Sequence, residues 1–120
     1  MKYKIDIKFS DKILTFHFGL SFLGAFYQKY DLDVSKLYEK IQKEPFSFIP
    51  LLMFESYKHN LERQGKKVEL TQLDLTDLID ENGGLHTEGA AANEFLEAFI
   101  NSILVRLGQE DNSNNASKKK

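Results

Sequence analysis

From Tyr3 to Phe18 the apolar side chains recur at every second position. Tyr3, Ile5, Ile7 and Phe9 alternate with Lys2, Lys4, Asp6 and Lys8, and Leu14, Phe16 and Phe18 alternate with Ile13, Thr15 and His17. Period two in branched and aromatic residues marks half-buried strands. Ser10-Asp11-Lys12 separates the two runs as a turn, so the pattern predicts an N-terminal β-hairpin. A hairpin alone is only marginally stable, so its apolar face has to pack on the rest of the chain.

After Gly19 the period changes to that of a helix. Phe22, Leu23, Phe26, Tyr27 and Tyr30 share one face, which predicts a first helix near 20–30. Asp33 is placed to cap a second helix carrying Val34, Leu37, Tyr38 and Ile41, and Pro45 ends it. A third helix is expected from about Ser47 to Gln64, with Ser47 as its cap, Pro50 in its first turn and Gly65 beyond its end. Thr71 followed by Asp74 imitates a capping box for a short helix through Leu75, Leu78 and Ile79, stopped at Asn82-Gly83-Gly84. Thr87 can cap a last helix whose stripe runs Ala92, Phe95, Leu96, Phe99, Ile100, Ile103, Leu104 and Leu107, with Gly108 closing it. The expected fold is α+β and mostly α: a β-hairpin followed by about five helices around a single core in residues 1–108. From Gln109 to Lys120 no large apolar residue occurs, which reads as a disordered polar tail over 109–120.

Composition narrows the function classes. The chain has 120 residues, 42% of them hydrophobic, which suits one small domain. Lys plus Arg number 16 and Asp plus Glu 18, for a net charge of −2. That balance lacks the footprint of a general nucleic-acid binder. With no cysteine, disulfides, thiolate metal sites and cysteine nucleophiles are excluded. The N-terminus has no apolar signal segment, and the longest apolar run, Ile49 to Phe54, is too short to span a bilayer.

Candidate chemistry is sparse. His17, His59 and His86 fall in a strand, a helix and a loop without metal-ligand spacing. Glu55 and Glu62 flank His59 on one helix face, and a solvated charged face accounts for them more simply than a weak metal site. No nucleophile elbow, phosphate-binding loop or dinucleotide fingerprint is present. Asp74, Asp77, Asp80 and Glu81 form the densest acid cluster; they suit a soluble helix with acids near its start, and an acid/base pair there is the competing reading. No cofactor is expected.

The third helix carries the anomaly. Ile49, Met53, Phe54, Tyr57 and Leu61 make its main stripe, but Phe48, Leu51 and Leu52 lie off it. Its first two turns are thus apolar nearly all round. Either other helices cover this end, or it is an exposed patch for a partner or a second copy. The candidate protein-binding residues are Phe46, Phe48, Leu51 and Leu52. Self-association is expected through the hairpin, whose edges can pair with another chain, together with this helix start.

Several clusters bear a family resemblance. Tyr3-Lys4-Ile5-Asp6-Ile7 leads into Thr15-Phe16-His17-Phe18-Gly19-Leu20-Ser21-Phe22-Leu23, then Tyr27-Gln28-Lys29-Tyr30-Asp31. Pro45-Phe46 opens a long helix with Tyr57 and Leu61, and Asp77-Leu78-Ile79-Asp80-Glu81 precedes a terminal helix with Phe95-Leu96-Glu97-Ala98-Phe99. Over residues 1–108 this order resembles the tail assembly chaperones of long-tailed bacteriophages and related prophages; Lys66-Lys67-Val68-Glu69 has no counterpart. The resemblance implies a non-enzymatic protein of the host bacterial cytoplasm, absent from the finished virion. It would bind the tape measure protein and help recruit the major tail protein, with no nucleic-acid or membrane partner. Such proteins are often made in two lengths by a ribosomal frameshift. The ending Lys118-Lys119-Lys120 demands a run of nearly pure adenine codons, which is where slippage is expected, and the polar tail would then tether an added domain. A small non-catalytic adaptor module and a small enzyme using Asp77 and Asp80 are the other readings.

Overall fold

The computed structural model describes residues 3–85 and 88–108. Strands β1 (Lys4–Phe9) and β2 (Lys12–His17) pair antiparallel, with Ile5 opposite Phe16 and Ile7 opposite Leu14. Phe9 and Lys12 form the last pair, so Ser10 and Asp11 make a two-residue loop, and Ser10 adopts the positive φ of 58° that tight hairpin turns use. Five helices follow: α1 (Leu20–Lys29), α2 (Val34–Lys43), α3 (Pro45–Arg63), α4 (Gln72–Glu81) and α5 (Ala91–Arg106). The expected hairpin-plus-five-helices architecture is the observed one. The tail over 109–120, with its three terminal lysines, lies outside the described residues.

One face of the hairpin builds the core. Ile7, Phe9, Leu14, Phe16 and Phe18 are buried, and α3 and α5 lie against the strands. Phe16 meets Phe95 edge-on at 5.2 Å and Tyr57 at 6.4 Å, so one strand residue touches both long helices. Phe18 meets Phe95 and Phe99 edge-on, while those two stack on each other at 5.6 Å. Such aromatic arrangements add to the area they bury.

α1 runs antiparallel to α3. Ser21 near its start reaches His59 and Arg63, Phe26 meets Phe48, and Lys29 and Tyr30 at its end reach Glu55. The Asp33 carboxylate caps α2 by accepting from the Lys36 amide at 2.7 Å. The capping box of α4 is complete in both directions despite Asp at the third position: Thr71 accepts from the Asp74 amide and Asp74 from the Thr71 amide. Asn82 at the end of α4 accepts from the Ser10 amide at 2.9 Å and donates to the Ser10 hydroxyl, fastening α4 to the hairpin turn.

Two helix starts differ from the sequence reading. α3 begins at Pro45, not near Ser47, because proline at the first helical position needs no N–H partner and its fixed φ suits the helix. Its N-cap, Glu44, makes no side-chain cap bond, and Ser47 lies inside the helix. Pro50 is consequently interior to the helix. The carbonyl that loses its usual helical donor is that of Phe46, an exposed residue. α5 begins at Ala91 with Ala90 as an uncapped N-cap; the Thr87 cap falls outside the described residues. Among the described residues no helix is long and apolar enough to cross a membrane.

Candidate functional site

The first two turns of α3 resolve into two kinds of position. Phe48, Ile49 and Leu52 are buried, with Leu52 fully enclosed, and Leu51 is half-buried. These turns are covered by neighbours: Phe26 of α1 packs on Phe48 at 6.0 Å, and α2 lies against α3. Phe48 and Leu52 are therefore core residues, which corrects their assignment to a contact surface. The hairpin flanks α3 from one side and α1 and α2 occupy others, and that leaves the helix little free surface. Phe46 is the exception. It is 84% exposed, the most exposed of the large hydrophobic residues described.

A second surface was not legible in the sequence. It lies at the open end of the hairpin, far from its turn. There the start of α1 and the C-terminal ends of α3 and α5 converge on Tyr3 and His17, around an open groove lined by Tyr3, His17, Leu20, Arg63, Val105 and Arg106. Leu20 is 73% exposed, and Tyr3 and Leu107 are also exposed. None of the lining residues is acidic. Neither Arg63 nor Arg106 forms an ion pair among the described residues. Arg63 donates to Ser21 Oγ at 3.1 Å, and Arg106 donates to the Ser102 carbonyl and hydroxyl. Those neutral acceptors orient the guanidinium groups and leave their charge unneutralised.

His17 forms the floor of this end. Strand alternation places it with the outward side chains, yet it is only 5% exposed. The chain turns at Gly19 into α1, and the C-terminal part of α3 closes over the ring: His59 lies 5.1 Å away and Tyr3 5.3 Å away. The Gly19 amide donates to Nδ1 at 3.2 Å, and Ser56 Oγ donates to the His17 carbonyl at 2.9 Å. Burial holds the imidazole pKa down to about 4, and electrostatic repulsion from His59, Arg63, Lys4 and Arg106 against a protonated ring pushes the same way. His59 is shifted down too, first by burial and then by Arg63. Its Nε2 lies 3.0 Å from Ser21 Oγ, and since Arg63 donates to that oxygen, the Ser21 hydroxyl is free to donate to a neutral His59.

The other candidates are consumed structurally or stand apart. Glu55 is held by Lys29 at 3.0 Å and the Tyr30 hydroxyl at 2.9 Å, so it is not presented with His59 and Glu62 to a metal. Among the described residues no group of three or more metal-ligating side chains converges. Asp74 is engaged in its capping box, while Asp77, Asp80 and Glu81 are exposed on α4. The chain matches no family model, no curated protein and no solved structure.

Proposed function

We propose that this chain is a non-catalytic assembly chaperone that holds a long helical partner while a phage tail is built. The partner would be the tape measure protein, with the major tail protein recruited to the complex, as the family resemblance implies. Phe46 supports this reading most directly. A phenylalanine left 84% in water at the start of the longest helix, beside a filled core, is an anchor without a pocket in its own chain. A ridge of side chains on a partner helix supplies such a pocket.

The test is affinity purification of the tagged chain from infected or induced cells, followed by mass spectrometry. The expected companion is a very long, mostly helical protein. Phe46→Glu should lower its recovery by about tenfold or more, while leaving the melting temperature of the purified chain unchanged. Recovery of DNA or of a regulatory protein in its place would overturn the chaperone reading. Undiminished capture by Phe46→Glu would remove Phe46 from the contact.

A further inference from the structure

We propose that copies of this chain pair head to tail, the acidic face of α4 on one copy seating in the basic groove of the next. The inference concerns the chain by itself and stands or falls apart from the helical-partner reading.

The groove asks for negative charge bordered by apolar contact. Arg63 and Arg106 line it without an ion pair, and Lys4 adds its field to theirs at His17. Leu20, Tyr3 and Leu107 leave apolar surface exposed beside these charges. The chain carries the complement on α4. Leu73, Asp77 and Asp80 fall at i, i+4 and i+7, which puts them on one helix face. Leu73 is 70% exposed, and neither aspartate forms an ion pair among the described residues. Each surface is thus an exposed leucine beside unpaired charge, and the two charges are opposite in sign.

The fold keeps the two surfaces apart within one chain. Asn82 fastens the C-terminal end of α4 to Ser10 at the hairpin turn. The groove is at the other end of the same hairpin, where Tyr3 meets His17. Six-residue strands separate these ends by roughly 17–20 Å. The surfaces can meet only between copies. A contact between two different patches is heterologous, so each copy added leaves one free groove and one free acidic face, and growth continues into a ring or a filament.

The experiment is sedimentation velocity on the full chain at up to roughly 100 µM, at about 0.1 M and about 1 M salt, where the Debye length falls from ~10 Å to ~3 Å. The expected result is species larger than a dimer that grow with concentration and recede at high salt. Two variants each close one end. Arg63→Glu with Arg106→Glu destroys the groove and keeps the acidic face. Asp77→Asn with Asp80→Asn removes the acidic charge and keeps the groove. Each should sediment as a monomer alone, and their equimolar mixture should stop at a one-to-one dimer, because only one productive contact remains. Circular dichroism checks that each variant is folded. Should the groove variant fail to fold, the α4 variant and the salt series still decide, since Asp77 and Asp80 are exposed surface positions. A strictly monomeric full chain overturns the proposal. So does association that high salt leaves untouched, that persists in either folded variant, or that fails to reappear on mixing.

Discussion

The His17 ring accepts the Gly19 amide through Nδ1 while facing Lys4, Arg63, Arg106 and His59. Protonation would cost that hydrogen bond and place a further charge among cations. The unfolded chain binds a proton near the ordinary value of 6.5, and the folded chain only near 4. Between those values the unfolded state holds more protons, so stability falls as pH falls from about 6.5 to about 4, and is fully present above that window. His59, also shifted down, acts in the same direction. The expected loss at His17 is about 3 kcal/mol across the window, of which about 2 kcal/mol falls above pH 5. Urea unfolding at pH 7.5 and pH 5 should show it, and His17→Gln should flatten the difference. An equal slope in wild type and variant would mean that the ring titrates normally. Alternation assigned this histidine to the outer face, because a strand pattern records side, not what another element later lays over that side.

At the scale of elements, local chemistry fixed most boundaries. Asp33 caps α2 and Thr71 with Asp74 boxes α4, as the residue types require. The glycines after α4 are not equivalent. Gly83 has φ of 100°, and a Cβ there would stand 2.8 Å from the Ala90 Cβ; Gly84 has φ of 69° and open space around it. Gly83→Ala should therefore cost about 1–3 kcal/mol, and Gly84→Ala clearly less, since only its backbone conformation is strained. Equal costs in chemical denaturation would show that the close approach of α4's end to the start of α5 does not constrain the chain. The sequence shows a helix stop at Asn82-Gly83-Gly84, but that Gly83 serves as a packing surface for Ala90 is settled by α5 arriving there.

Across the whole molecule the core is a single aromatic cluster that joins hairpin to helices. Phe99 has no solvent exposure, stacks on Phe95 and meets Phe18 edge-on. Phe99→Ala should cost about 3–5 kcal/mol, a large fraction of a small domain's stability. Because the ring touches Phe18, just beyond β2, as well as Phe95 of its own helix, the loss should appear in one cooperative transition by fluorescence and by far-ultraviolet circular dichroism. A change under about 1 kcal/mol would mean that the stripe of α5 is not core. Exposed Leu107 ends that stripe in solvent. Periodicity extended it to Leu107 because spacing continues wherever the helix does, whereas burial stops where the hairpin stops.

The sequence by itself determined the elements and most of their order: a period of two, then 3.6, broken by Asp, Pro and Gly at positions where each has a local cause. It also determined which residues are apolar enough for a core. Only the tertiary structure decided which apolar residues that core uses. Phe46 and Phe48 are two positions apart on one helix, so they lie on different sides of it, and the side facing α1 became interior while the other stayed in water. The basic groove was likewise invisible along the chain, since Tyr3, Leu20, Arg63 and Arg106 are scattered through it. Local patterns come from forces between near neighbours in sequence. A surface is assembled by chain segments that meet only after folding.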